Sequence, residues 1–250
     1  MDEILKILLL FLVGTIAGFI NIMAGGGSSI TLPILIFLGL DSALANGTNR
    51  IAIFIQSISA IISFKQEQFH QFKLSLKLSL LTLPGAIIGT IVAVKIRDEL
   101  FQKILAIVIM GIVLTILFPR LNKNVKIEED SSYNSWLLYP ALFGIGFYGG
   151  FIQVGVGFII MALLLHIMKL DLVRVNMHKV FIVFVYTVPS ITIFMLTGNV
   201  KWSYGLMLAA GNATGAWWSA KLSVRKGEKV IRIVLLVAML IMALKLLRIF

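Results

Sequence analysis

The chain alternates between long apolar runs and short polar joints. Five runs come first: Ile4 to Met23, Ile30 to Leu40, Ile51 to Phe64, Leu74 to Val94 and Phe101 to Phe118. A polar stretch from Pro119 to Ser135 follows, carrying Glu128-Glu129-Asp130. Five more runs complete the chain: Trp136 to Val154, Phe158 to Met168, Val173 to Leu196, Trp202 to Ala220 and Val230 to Leu247. Unbroken apolar runs of this kind read as helices, and a full bilayer span takes about 20 residues. The second run of each group reaches only about half that length. The pattern predicts an all-α polytopic membrane protein of about 8–10 transmembrane segments. It divides into a first transmembrane repeat at 1–118, a solvent-exposed linker at 119–135 and a second repeat at 136–250.

The two groups correspond in order. Gly14-x-x-x-Gly18 answers to Gly146-x-x-x-Gly150, and Gly25-Gly26-Gly27 to Gly155-Val156-Gly157. Leu40-Asp41 answers to Leu170-Asp171, Asn46 to Asn176, and Gly85-x-x-x-Gly89 to Gly211-x-x-x-Gly215. One small-xxx-small pair signals only close helix packing. A whole series in the same order signals internal duplication.

Each group is interrupted after its first run, at Gly25 to Gly27 and at Gly155 to Gly157. A broken helix within a bilayer leaves backbone groups unpaired, which is tolerated where protein or a watery cavity covers them. Glycine allows the tight turn and close approach such a break needs. The helix that restarts at Ser28-Ser29 points its first N–H groups back into the break, an arrangement that attracts anions. A plain loop between two closely packed helices is the alternative. If each break is the tip of an antiparallel hairpin, each group crosses the membrane an odd number of times and the second is inverted relative to the first. That arrangement gathers most of the 22 basic residues on one face. The positive-inside rule then sets the 119–135 linker in the cytoplasm and both termini outside it.

Composition fits this pattern. Hydrophobic residues make up 59% and charged residues 13% of the 250-residue chain, where a soluble domain carries about 25% charge. The net charge of +11 follows from basic joints between apolar runs, so it does not call for nucleic acid. The absence of cysteine excludes disulfides and thiolate chemistry. Met1-Asp2-Glu3 is acidic where a signal peptide is basic, so the first run is expected to remain as a helix. Trp136, Tyr139, Trp202 and Tyr204 stand at segment ends, as an interfacial aromatic belt does.

Paired broken segments in inverted halves point to a transport site between them. The candidate substrate-binding residues at the first break are Asn21, Gly25, Gly26, Gly27, Ser28 and Ser29, with Thr31 nearby. At the second they are Gln153, Gly155 and Gly157. A polar cluster precedes the third run of each group: Asn46, Thr48, Asn49 and Arg50 in one, Asn176, His178 and Lys179 in the other. Both clusters are expected where a helix begins, with asparagine as a cap. Arg50 and Lys179 have two readings, snorkelling to the interface or donating hydrogen bonds to an anion. Polar residues that simply satisfy helix packing remain the alternative for the others. The apolar runs contain no Asp or Glu, which favours an anionic substrate over a cation pump. No metal site, cofactor motif or enzyme signature is found, and His166, flanked by apolar residues, reads as structural.

The residues from Ala24 to Pro33 (A-G-G-G-S-S-I-T-L-P) and from Leu38 to Arg50 (L-G-L-D-S-A-L-A-N-G-T-N-R) resemble the first repeat of the TauE/SafE sulfite exporter family. That family is also called the 4-toluene sulfonate uptake permease family. Thr197 to Trp202, followed by Gly211 and Gly215, looks like its second repeat. The resemblance implies a multi-pass permease of the inner (plasma) membrane that moves small sulfur-containing anions such as sulfite, sulfonates or sulfoacetate. It also implies a substrate site at Gly25 to Ser29 and Asn46 to Arg50. The second repeat departs from the pattern, with no proline after Gly157 and with Met177-His178 where the first has Gly47-Thr48. The expected function is a non-enzymatic carrier working by alternating access in the lipid bilayer, without cofactor and without nucleic acid, and open to homo-oligomer formation. An anion channel and an intramembrane enzyme are the rival readings.

Overall fold

A computed structural model describes residues 3–69, 71–117, 136–227 and 230–231, apart from the side chains of 113–117. The described residues are all-helical: α1 (Glu3–Met23), α2 (Ser28–Phe37), α3 (Ser42–Gln66), α4 (Phe72–Lys95), α5 (Asp98–Leu117), α6 (Leu138–Phe151), α7 (Val156–Ile167), α8 (Leu172–Leu196) and α9 (Trp202–Lys226). The expected linker at 119–135 and nearly all of the last expected segment, Val230 to Leu247, lie outside the described residues. Three described helices, α1, α4 and α8, are both long and apolar enough to cross a membrane. The 25-residue helices α3 and α9 have the length but carry more polar side chains, which they bury against their neighbours. With 10 and 12 residues, α2 and α7 are about 15 and 18 Å long at 1.5 Å per residue, roughly half of a 30 Å hydrocarbon core.

The glycine pairs dictate which helices touch. Gly14 and Gly18 of α1 rest on the α9 backbone around Gly211 and Asn212, while Gly211 and Gly215 rest on the α1 backbone at Phe11 and Thr15. In the same way Gly85 and Gly89 of α4 meet α6 at Phe143 and Phe147, and Gly146 and Gly150 meet α4 at Thr82 and Ala86. A methyl group at any of these positions would enter the facing backbone, so the glycines set the interaxial distance. In both pairs the contacts advance together along the two chains, so the paired helices run parallel.

The same argument orients the remaining helices. Ser59 and Ser63 of α3 donate to the carbonyls of Ala213 and Trp217 on α9, so α3 and α9 are parallel. Ser75 of α4 meets His178, and Thr90 Oγ1 lies 2.8 Å from Ser190 Oγ, so α4 and α8 are parallel. Between α3 and α8 the order reverses: Arg50 lies over the Phe194 ring, and Phe54 stacks on Phe184 at 5.4 Å between centroids. Thus α1, α3 and α9 point one way, α4, α6 and α8 the other, and α3 crosses α8 antiparallel at the centre.

The exterior is apolar. Ile4, Leu12 and Ile16 on α1, Leu80 and Ile88 on α4, and Leu206 and Trp218 on α9 are largely exposed. In water such a surface is an aggregation liability, whereas against lipid it costs nothing.

Two expectations need correction. The polar clusters do not begin helices. Asp41 and Asp171 are the N-caps, accepting from Leu44 N at 3.1 Å and from Val173 N and Arg174 N at 3.0 and 2.9 Å. Asn46 to Arg50 and Asn176 to Lys179 are therefore inside the early turns of α3 and α8. A carboxylate satisfies orphan N–H groups that asparagine was expected to take. The apolar run starts late because these turns carry polar side chains, which the neighbouring helices bury. The second correction concerns the aromatic belt. Trp136, Tyr139 and Trp202 are exposed, but Tyr204 is 4% exposed and belongs to the core.

Candidate functional site

The two breaks meet each other. Gly25 has φ +86° and its Cα faces the backbone of Gly157 and Phe158, leaving no room for a Cβ on either glycine. Gly155 also takes a left-handed conformation, with φ +72°. The helices that follow, α2 and α7, start at Ser28 and Val156 without a side-chain cap. Their first N–H groups thus add partial positive charge at the place where the breaks touch.

Beside this contact lies a small cavity of about 10 Å³, room for about one water molecule, lined by Asn21, Gln56, Ser57, Gln153, Gly157 and Lys179, with isoleucine and valine side chains completing the wall. Lys179 is the one cation among the lining residues, and no carboxylate is among them. Its Nζ donates to Ile22 O at 2.6 Å, Asn176 Oδ1 at 2.8 Å and Asn21 O at 3.2 Å, and reaches Met161 Sδ at 3.6 Å. Ile22 O and Asn21 O belong to the last turn of α1, where the helix dipole is negative.

Arg50 does the mirror-image task on the other break. It is fully buried. Nη2 donates to Gly150 O at 2.7 Å, near the end of α6, and Nη1 donates to Gln153 Oε1 at 2.6 Å. Tyr186 OH donates to the same oxygen at 3.0 Å. These two donors hold Gln153 in a left-handed conformation, φ +63°, which a non-glycine residue keeps only where its surroundings over-determine it. Asn46 Nδ2 reaches Phe151 O at 2.8 Å, capping the next carbonyl of α6.

The remaining candidates are distributed around this centre. Asn21 Oδ1 accepts from Gly27 N at 3.3 Å, and Ser29 Oγ donates to Gly26 O at 2.6 Å, so both brace the first break. Ser28 Oγ is buried without a partner. Asn49 Oδ1 accepts from Thr31 at 2.8 Å, tying α3 to α2. Thr48 faces away, its hydroxyl accepting from Lys201 N at 2.9 Å. His178 Nδ1 lies 2.8 Å from Ser75 Oγ on α4, and His178 does not line the cavity. Thus Asn21, Gln153, Gly157 and Lys179 share the cavity, and Arg50 touches it only through Gln153. His166, on the exposed side of α7, lies 2.9 Å from Ala162 O. Among the described residues, no three His, Cys, Asp or Glu side chains gather as a metal site.

Gln56, Ser57 and Tyr186 were missed by sequence reasoning. Gln56 is 2% exposed with an unpartnered Oε1 on the cavity wall. The available signal was a lone amide interrupting the uncharged run Ile51 to Phe64.

Comparison with known proteins finds relatives described as membrane transporters. A "Probable membrane transporter protein" of Haemophilus influenzae is 31% identical over 227 residues, covering 90% of this chain and 88% of that protein. "Probable membrane transporter protein YfcA" of Escherichia coli K12 is 29% identical over 245 residues, covering 95% of this chain and 88% of that protein. One of the same description from Bacillus subtilis, YunE, is 23% identical over 249 residues, with 90% of each covered. No solved structure matches. The family model for the sulfite exporter TauE/SafE matches residues 10–246, so the chain belongs to the TauE/SafE family.

Proposed function

We propose that the protein is a carrier of small oxyanions, with sulfur-containing anions such as sulfite, sulfonates and sulfoacetate as its substrate class, and that it works by alternating access in the inner (plasma) membrane. One observation carries this reading. A buried amine, Lys179, lines a cavity that no carboxylate shares, beside the starts of two uncapped helices. A buried cation without a counter-ion is costly, and an anion in the cavity offsets that cost. As it stands the cavity has room for about one water, at about 10 Å³, so in this reading an anion enters as the two breaks part.

The helix directions support two inverted repeats, 1–118 and 136–250. Exchanging α1, α3 and α4 with α6, α8 and α9 maps each contact pair onto another, and each helix is antiparallel to its counterpart. Inverted repeats with facing broken segments are the usual frame of alternating access, one repeat rocking on the other. In this reading Lys179 attracts the anion, the N-termini of α2 and α7 and the amides of Asn21, Gln56 and Gln153 surround its oxygens, and Arg50 holds the second break in shape.

Two experiments test the proposal. Purified protein titrated calorimetrically with sulfite, methanesulfonate, sulfoacetate and sulfate is expected to bind at least one of the sulfur anions, and transport into vesicles is expected to saturate and show counterflow. Flux that is linear in concentration without counterflow identifies a channel instead. For topology, the cysteine-free chain allows single cysteines at positions 2, 98, 125 and 250. Labelling from outside intact cells is expected at 2, 98 and 250 and not at 125, which sets the 119–135 linker in the cytoplasm. Labelling at 125 and at neither end removes the orientation.

A further inference from the structure

Lys179 holds the end of α1 with the same amine that faces the cavity. An ammonium has three N–H donors. Lys179 directs them at Ile22 O, Asn21 O and Asn176 Oδ1, so all three are engaged by the protein. Asn21 O also accepts from Gly25 N at 2.8 Å, whereas Lys179 supplies the side-chain donor that caps Ile22 O. An anion that enters the cavity competes for those donors, and a charge-assisted bond between two ions outweighs one to a neutral carbonyl. Asn176 lies on the same helix as Lys179, one turn earlier, so its contact follows the lysine. The contacts that an anion displaces are those across to α1.

We propose that Lys179 is a substrate-operated latch. It clamps the last turn of α1 to α8, and an arriving anion draws the amine away, which frees α1 and the Gly25 turn that abuts Gly157. The motion of the first break is thereby triggered by the substrate itself. Arg50 caps the corresponding end of α6 but does not line the cavity. Its clamp has a second donor in place, with Tyr186 also donating to Gln153. The device is therefore one-sided: the α1 break yields and the α6 break stays shut while the anion is bound. This inference rests on the reading of the cavity as an anion site.

Amide hydrogen exchange on the full chain in detergent, with and without sodium sulfite or methanesulfonate, tests it. Calorimetry on the same samples shows whether the anion binds. With anion bound, exchange in the peptide covering residues 20–30 is expected to rise about tenfold, the factor set by loss of one charge-assisted hydrogen bond. The peptide covering 148–158 is expected to stay unchanged. In Lys179→Met, exchange at 20–30 is expected to be fast already and indifferent to the anion; if that variant does not fold, the wild-type peptides decide. Bound anion with unchanged or slower exchange at 20–30 overturns the latch and leaves the anion site standing. Binding of neither anion overturns both.

Discussion

Arg50 and Lys179 occupy related places and are built for different work. The spacing that carries Asp41 to Asp171 takes Asn49 to Lys179 and Arg50 to Val180. Each half of the chain thus places one cation in the corresponding turn, displaced by one residue, and each cation reaches a helix end in the other half. One residue along a helix turns a side chain by about 100°. Arg50 therefore lies sealed between α6 and Phe194, while Lys179 shares its surroundings with the cavity. The polar wall differs in the same way. Tyr186, the counterpart of Gln56 at that spacing, donates to Gln153, whereas the Gln56 oxygen has no partner. Both clusters keep an unpartnered polar atom, Arg50 Nε in one and Gln56 Oε1 in the other, but only the second borders the cavity.

The sharpest way to break this comparison is to remove the lysine charge. Lys179→Met is expected to weaken binding of sulfite by about a hundredfold, since a bond to a charged group is worth about 1.5–3 kcal/mol. Calorimetric affinity equal to that of wild type would remove Lys179 from the site and reverse the roles assigned to the two cations.

Arg50→Met is the complementary substitution. Two charge-assisted bonds disappear and Gln153 loses the anchor of its left-handed backbone, so a stability loss of about 1.5–3 kcal/mol is expected. Thermal unfolding in detergent measures it. Anion affinity in the folded fraction is expected to change by less than about tenfold, because the guanidinium reaches the cavity only through Gln153. A hundredfold affinity loss with unchanged stability would show Arg50 to be the substrate cation.

The smallest effects separate the two walls. Gln56→Leu is expected to weaken anion binding by up to about tenfold, the value of one neutral hydrogen bond, without lowering the unfolding temperature. Tyr186→Phe is expected to do the opposite, costing about 1 kcal/mol of stability with little change in binding. Identical behaviour of the two variants would erase the distinction between the cavity wall and the Arg50 cluster.

Much of this was legible in advance, and the failures share a cause. The glycine pairs at Gly14–Gly18 and Gly211–Gly215 were visible as matching motifs, and they find each other in the fold because only glycine permits such close backbones. The turns carrying Asn46 and Asn176 were read as helix starts because hydropathy drops there. Hydropathy reports what a side chain would lose by burial, not whether a neighbouring helix compensates it. Asn46 is compensated by Phe151 O, a partner over a hundred residues away. Tyr204 was assigned to a surface belt for the same reason: its place at a segment end was visible, but the helix that covers it was not.

By itself the sequence determined the helical class, the matched order of motifs in the two halves, the two breaks and the lack of carboxylates in the apolar runs. Each of these is a local property of apolar period, glycine position or residue type. Only the tertiary structure decided that both cations are buried, which of them faces a cavity, that Gln56 belongs to its wall, and that each break is capped by a residue from the other half of the chain. Those facts depend on rotations of one residue about a helix and on contacts between segments far apart in the chain, and no local pattern encodes either.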